Sequence, residues 1–396
     1  MVQKKLLQVV LIVGVLLSAA AMYSVAPGDN GGEVFFGVCV KSGGGYSILF
    51  NGSRTVLVPS NLEIGAVYRI WGKVEEREGF LRVSGQYRIE KTDEIPPLAV
   101  SIEGAYWKKG ENAYLLTPDW VDLATPLNIP KGARVVVYGL EYGSKFYPVK
   151  YSVLKNASGS FEDGMPVLVK GVVLGYFGAK NEVIVWNGKE KVYVYLPYNH
   201  SVGIGKTIEL LGRARLTSRV NVYVDSSEDV RVLGYPEAVP INEASTGEIG
   251  EGICTVVKSG KSDFTLNCTD LNLRGVRART GDTLKVKALN TGSHLLCIDC
   301  TLVRPREELP NEICNPKEGG FSKIQGKVEW VRLYKNGFGI ANVTNGSCWV
   351  LLKLPKSLGV SLREGEQVTA YGFFTTYQGR TAFEVASGDD VCSGNC

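Results

Sequence analysis

Five blocks of the chain share one pattern, a glycine answered seven positions later by a second small residue. They read G-A-V-Y-R-I-W-G at 65–72, G-A-R-V-V-V-Y-G at 132–139, G-K-T-I-E-L-L-G at 205–212, G-D-T-L-K-V-K-A at 281–288 and G-E-Q-V-T-A-Y-G at 365–372. Period-two alternation entered through a glycine turn specifies a half-buried strand. The third and fifth positions after the first glycine are Tyr68 and Ile70, Val135 and Val137, Ile208 and Leu210, Leu284 and Val286, Val368 and Ala370. These residues are expected to face a core.

A second landmark precedes each block. Gly37, Gly104, Gly171, Gly252 and Gly326 each sit in a strand-like run, 28, 28, 34, 29 and 39 residues before the later glycine. Paired landmarks in fixed order, five times over, indicate a repeated unit. Joints rich in Pro, Ser, Gly and acids fall at 92–97, 156–166, 235–247 and 305–320, the composition expected of boundaries. The units are therefore set at 33–95, 96–160, 161–240, 241–310 and 311–396, the last carrying a cysteine-rich tail.

Strands are expected near 33–41, 45–50, 53–58, 66–74 and 80–90 of the first unit. Tight turns at 42–45 and at Asn51-Gly52 join them, and a short insertion at 59–64 precedes the fourth strand. The fifth unit has a longer insertion, 355–364, with room for a helical turn. Beyond the N-terminal run no long stretch has helical periodicity. Five strands in roughly 70 residues, a glycine early in strand one and an insertion before strand four resemble the OB-fold, a small Greek-key barrel. The resemblance covers residues 33 to about 390 and implies an all-β chain of five tandem OB-like barrels. A β-sandwich array and a solenoid compete with it. Unit length and the mid-strand glycine, where a barrel strand bends sharply, favour the small barrel.

Lys4 and Lys5 precede an apolar run over 6–26, and about 20 apolar residues span a bilayer. Pro27 would follow any cut after Ser24-Val25-Ala26, so residues 1–28 read as an uncleaved signal anchor, a transmembrane helix that makes the membrane a partner through 6–26. The charge asymmetry places the body on the extracytoplasmic side, at the cell surface. Asn51, Asn156, Asn199, Asn267, Asn342 and Asn345 stand in Asn-x-Ser/Thr triplets and are candidate glycosylation sites.

Eight of the nine cysteines follow residue 253, a clustering that fits local disulfides in an oxidising compartment. Cys254 and Cys268 flank a hairpin turn centred on Lys261 and are expected to face each other. Cys297 and Cys300 form a C-x-x-C, and Cys314, Cys348, Cys392 and Cys396 complete a set whose pairing the sequence leaves open. A four-cysteine zinc site would want a second C-x-x-C. A redox pair would want a helix N-terminus. Cys39 reads as a buried free thiol.

The net charge is +4, from 44 basic and 40 acidic residues. That excludes a strongly basic duplex-DNA module. With two histidines and no nucleophile–base constellation, a non-enzymatic binding protein without metal or cofactor is expected. The OB resemblance implies a ligand on strands two and three and their loops, either single-stranded nucleic acid or a surface oligosaccharide. Alternation turns Phe36 and Trp107 outward, and Trp71, Tyr138 and Tyr371 recur at one outward position. With Arg274, Arg277 and Arg279 these are the candidate ligand contacts. Further arginine clusters lie at Arg213, Arg215 and Arg219 and at Arg69, Arg82 and Arg88. Tyr46, Phe50, Trp186 and Tyr193 fall on strands two or three with their facing unset. In the competing reading the outward aromatics bury against the next barrel, giving a structural stalk or scaffold for surface protein partners. A third reading is an exported thiol oxidoreductase using Cys297 and Cys300.

Overall fold

A computed structural model describes residues 32–77, 79–177, 181–198, 200–317 and 319–393. The expected anchor at 1–28, Asn199 and Cys396 lie outside them. Among the described residues no helix is long and apolar enough to cross a membrane. The fold is nearly all β.

The first barrel comprises β1 (Glu33–Gly43), β2 (Tyr46–Phe50), β3 (Thr55–Val58), β4 (Val67–Arg77) and β5 (Phe80–Thr92). They close in the order β1-β2-β3-β5-β4, with β3 parallel to β5 and β4 returning antiparallel to β1. This five-stranded Greek-key closure is OB-like. The second barrel repeats it with β6 (Val100–Lys109), β7 (Asn112–Leu116), β8 (Val121–Leu123), β9 (Arg134–Tyr142) and β10 (Lys145–Lys155).

The third sheet is built from β11 (Pro166–Phe177), β12 (Glu182–Trp186), β13 (Lys191–Tyr195), β14 (Thr207–Leu216), β15 (Val220–Tyr223) and β16 (Val230–Gly234). The fourth has β17 (Ala238–Pro240), β18 (Ile249–Ser259), β19 (Asp263–Leu266), β20 (Leu273–Arg274), β21 (Thr283–Asn290) and β22 (Leu295–Arg304). The fifth has β23 (Phe321–Leu333), β24 (Gly339–Thr344), β25 (Trp349–Leu354), β26 (Gln367–Tyr377), β27 (Arg380–Glu384) and β28 (Val391–Ser393). Each keeps the same five-strand order and adds one edge strand. The expected helical turn in the last insertion is a single 3-10 turn, Lys356–Leu358. Two compact units result. One holds residues up to 170 with 192–200 and 209–231, and the other 171–191 with 201–208 and 232 onward.

The glycine landmarks have a common geometry. Gly65, Gly132, Gly205, Gly281 and Gly365 all have φ between 82° and 90°, the third position of a type II turn, which only glycine adopts without strain. Each donates its N–H to a carbonyl of the barrel's first long strand: Cys39, Tyr106, Val173, Val256 and Val328, at 2.7–2.8 Å. The same five residues donate back to the residue after the glycine, at 2.8–3.0 Å. This two-bond clamp ties the first strand of the barrel to the fourth. All ten residues expected to face a core are buried.

The earlier glycines lie two residues before the clamp in four barrels. A Cβ at Gly37 or Gly104 would meet the carbonyl oxygen of Phe50 or Leu116 at 2.5 and 2.9 Å. Gly171 and Gly326 face the carbonyls of Trp186 and Thr344 in the same way. The fourth barrel corrects the expected register. Its clamp residue is Val256, so Cys254, not Gly252, occupies the glycine position. The Cys254–Cys268 disulfide (Cα–Cα 5.6 Å) stands where the others bring two backbones together. Cys297–Cys300 and Cys314–Cys348 are bonded as well, and so is Cys392. Cys297 and Cys300 share a face because the register shifts between them, with Cys297 opposite Ala288 and Asp299 opposite Lys287. Cys39 is free and buried.

Several triplet asparagines have structural work. Asn51 and Asn345 each accept two backbone N–H groups through Oδ1 in the turn joining strands two and three. Asn187 does the same without the triplet. This Asx-turn chemistry accounts for Asn-Gly at all three places. Asn342 is buried and its amide donates to Glu329. That overturns its expected availability for glycosylation in the folded chain. Asn156 and Asn267 are exposed.

The strand-one glycine yields a direct prediction. Gly326→Ala drives a Cβ into the Thr344 carbonyl and should destabilise the fifth barrel by about 1–3 kcal/mol. Gly320→Ala, which meets open space, should stay within about 0.5 kcal/mol of wild type. Urea unfolding followed by circular dichroism checks the pair, and equal effects would contradict the close-approach account.

Candidate functional site

Outward faces of the first and second barrels are occupied by their neighbours. In the first barrel Val38, Val40, Ile48 and Phe50 pack against Leu98, Leu140 and Tyr147 of the second. The Tyr147 hydroxyl donates to the Val40 carbonyl at 3.0 Å. In the second barrel Ala105, Trp107 and Leu116 pack against Met165 and Leu211. The clamp turns join in. Gly65 abuts Thr125, Gly132 abuts Leu211 and Ala157, Gly205 abuts Ile298, and Gly281 abuts Phe321. Each partner lies in the next barrel or in the joint leading to it.

This docking relocates several expected ligand contacts. Trp107 points away from its own barrel, as the alternation required, but it is fully buried. Its indole N–H donates to Asp225 at 2.8 Å, and Lys131 sits 4.1 Å over its ring while bonded to Asp229 at 2.6 Å. Tyr371 is also buried, under the Arg306 guanidinium at 4.4 Å. Arg306 is itself held by Asp390 at 2.5 Å and by the Asp389 carbonyl. The period-two pattern sees only one barrel, so it could not register what covers it.

The other expected contacts are dispersed. Phe36 lies half-buried under Arg69 at 4.3 Å, and Arg69 is bonded to Glu33 and Glu94. Trp71 lies under Arg88 at 5.1 Å, and Tyr138 is exposed on β9. Arg274, Arg277 and Arg279 are exposed. Arg279 pairs with Glu307 at 2.6 Å. Among the described residues no aromatic ring lies against these three arginines, and the eight contacts do not form one site.

An exposed aromatic and cationic strip does form on the third barrel. Tyr193 and Tyr195 alternate with buried Val192 and Val194, so both point outward from β13. Parallel pairing sets Tyr193 beside Asn221 and Tyr195 beside Tyr223, and antiparallel pairing sets Asn221 beside Arg215 and Tyr223 beside Arg213. Three strands thus present two rows, Tyr-Asn-Arg and Tyr-Tyr-Arg, on one face.

The geometry within those rows is specific. The Tyr195 and Tyr223 rings stack at 4.7 Å and 7°. Arg219, in the loop joining β14 to β15, lies 4.0 Å over Tyr193 and donates to the Tyr195 hydroxyl at 2.7 Å. Asn221 fixes that loop by donating to the carbonyls of Arg215 and Arg219 and to the Thr217 hydroxyl. Arg213 continues the strip, 4.8 Å from the exposed Trp120 ring, and Trp120 meets Tyr114 edge-on at 5.3 Å. Tyr223 is 37% exposed and Trp120 46%. The result is an alternation of π faces and guanidinium groups, held in place before any ligand arrives.

Sequence reasoning had named Arg213, Arg215, Arg219 and Tyr193 but not Tyr195, Tyr223, Trp120 or Asn221. The signal was present in K-V-Y-V-Y at 191–195 and N-V-Y-V at 221–224. Placing them together requires the β13–β15 register, a pairing between strands 25 residues or more apart in sequence.

Asp225 organises the buried end of the strip. Burial works to raise its carboxyl, but the Trp107 hydrogen bond and the charge and hydrogen bond of Arg213 outweigh it and hold the group below its ordinary value. A lowered carboxylate contributes stability above its unfolded pKa and loses it as pH falls through the folded value. Asp225→Asn should therefore destabilise the chain at neutral pH, and the gap to wild type should close below about pH 4. Urea midpoints at neutral and acid pH check this, and a gap that is constant or widens in acid would contradict it.

No known family of sequences matches the chain, and no curated protein matches it. Among the solved structures that match it are two at low identity. A Drosophila structure described as Unr CSD456 is 8% identical over 52% of this chain and 98% of its own, with a TM-score of 0.19. A multidomain protein with nucleic acid binding domains from Streptococcus pneumoniae TIGR4 is 10% identical over 56% of this chain and 73% of its own, with a TM-score of 0.14. At these scores the barrel assignment rests on strand order and pairing alone.

Proposed function

We propose that this chain is a non-enzymatic binding protein that holds single-stranded nucleic acid along the strip of the third barrel. The observation that carries the reading is the alternation of Tyr193, Tyr195, Tyr223 and Trp120 with Arg213, Arg215 and Arg219 on one exposed surface. Aromatic faces accept unstacked bases regardless of sequence, and guanidinium groups pair with the phosphates between them. The strip lies on strands three, four and five of the third barrel and the loop between the last two, with Trp120 contributed by the second barrel just before β8, beside the surface where OB-like barrels engage oligonucleotides.

The first two barrels support a scaffolding role. Trp107, Leu140 and Tyr147 pack as cores pack, so the first two barrels use their outward aromatics to hold neighbours. In this second reading the array presents ligand or protein partners at a cell surface. The disulfides fit an oxidising compartment, and the Lys4, Lys5 and 6–26 run fits a membrane anchor. Extracytoplasmic placement is part of the proposal on those two grounds.

Fluorescence anisotropy of labelled oligo(dT) against the full chain in mild detergent tests the nucleic-acid reading. Binding should weaken with salt, at a slope of about −0.7 per phosphate contacted. Tyr223→Ala should cost about 1–3 kcal/mol without altering the slope. Arg219→Ala should flatten the slope by about 0.7. No binding at low salt, or indifference to both substitutions, would overturn the reading.

A further inference from the structure

The turn between the first two strands of the fifth barrel departs in chemistry from its counterparts. That turn is Gly44-Gly45 in the first barrel, Gly110-Glu111 in the second and Gly260-Lys261-Ser262 in the fourth. In the fifth it is Tyr334-Lys335-Asn336-Gly337-Phe338, preceded by Leu333 at the end of β23. Leu333 is 73% exposed and Tyr334 37%. The barrel itself does not require apolar residues there, since glycine and polar residues make the same connection elsewhere in the chain.

Three loops meet at this tip. The Tyr334 N–H donates to the Phe338 carbonyl at 2.8 Å and closes the turn. Tyr334 stacks on Phe338 with ring centroids 5.9 Å apart, and Phe338 lies 6.0 Å from Tyr377 at the end of β26. The Tyr334 and Tyr377 side chains share a hydrogen bond. Phe338 and Tyr377 root the cluster on buried Ile340, Leu351 and Ala382. Lys356, from the insertion before the fourth strand, lies along Gly337, where an added Cβ would meet its Cδ at 2.8 Å.

The charge around the tip has one sign. From Trp330 to Arg363 the sequence contains no Asp or Glu, and it carries Arg332, Lys335, Lys353, Lys356 and Arg363. Of the acids on the neighbouring strands, Glu329 accepts from Asn342 at 2.7 Å and Glu384 pairs with Lys353 at 3.1 Å. Arg332, Lys335 and Lys356 are exposed, as is Arg380, which stands opposite Tyr377 across the β26–β27 turn. None of these four has an ion pair among the described residues. We propose that this tip docks on the surface of an anionic lipid bilayer, separately from any anchoring by 6–26. Leu333 and the ring edges enter below the headgroups, the tyrosine hydroxyls stay at headgroup level, and the four cations meet lipid phosphates. A bilayer accepts a protruding apolar turn without a matching groove. The three rings close on one another, so they do not offer the separate open faces on which bases stack. The proposal does not depend on the strip of the third barrel.

The test is hydrogen–deuterium exchange of the full chain reconstituted in two kinds of vesicle, phosphatidylcholine alone and phosphatidylcholine with phosphatidylglycerol. Any anchoring by 6–26 is then common to both. The amides of 333–338 should exchange about fivefold or more slowly in the anionic vesicles, the factor that a single basic residue supplies at such a surface. High salt should remove most of that slowing, and the Gly143 turn of the second barrel should show none. Leu333→Asp and Lys335→Glu should each abolish the slowing, and Leu333→Met should keep it. Circular dichroism melts establish that these exposed substitutions leave the fold intact. Equal exchange of 333–338 in the two vesicles overturns the proposal. So does slowing that survives Leu333→Asp, or equal slowing at Gly143. Slowing in detergent without lipid that grows with protein concentration would assign the tip to a second copy of the chain and overturn it too.

Discussion

Two hydrogen bonds clamp one end of the seam that closes each barrel. The turn glycine donates to the first long strand, and that strand's clamp residue donates back to the residue after the glycine. The pair extends the ladder between the first and fourth strands and sets it in one register with the buried alternation, since a one-residue slip would turn Tyr68, Val135, Ile208, Leu284 and Val368 to the wrong face. The left-handed φ makes glycine obligatory at the turn. In the first four barrels the same glycine also lets the next segment approach, since Thr125, Leu211, Ile298 and Phe321 crowd the space a side chain would fill. One residue type thus meets a conformational demand and a packing demand together.

That double duty explains how much of the fold was legible. The spacing of Gly37 and Gly65, repeated through the chain, carries strand count, order and core-facing positions because glycine alone satisfies both the turn and the close approach to the second strand. The fourth unit was misregistered by two residues because a disulfide at Cys254 replaces the glycine there. The asparagines of the triplets at 51 and 345 also carry turn chemistry in the folded chain. Pairing of Cys254 with Cys268 followed from hairpin symmetry, whereas Cys314 with Cys348 depends on the joint before β23 folding back to the turn between β24 and β25.

The ligand face was less legible, for a physical reason. Alternation assigns a side chain to the inside or outside of its own barrel and says nothing about what lies beyond. Trp107 and Tyr371 obey the alternation and are still buried, one by Asp225 and Lys131, the other by Arg306. Docking buries Trp107 and Tyr147, while Tyr138 and Trp120 of the second barrel stay exposed. On the third barrel arginine stands between tyrosines on a face that stays open.

Hydrogen–deuterium exchange at single-residue resolution tests the clamp most directly. The amides of Gly65, Gly132, Gly205, Gly281 and Gly365, with those of Cys39, Tyr106, Val173, Val256 and Val328, should be protected as strongly as the central strand amides of their barrels. The amides of Gly44 and Gly143, in hairpin turns that do not close a barrel, should exchange far faster. Clamp amides that exchange at the rate of those hairpin turns would show that the barrels are closed by something other than the glycine clamp.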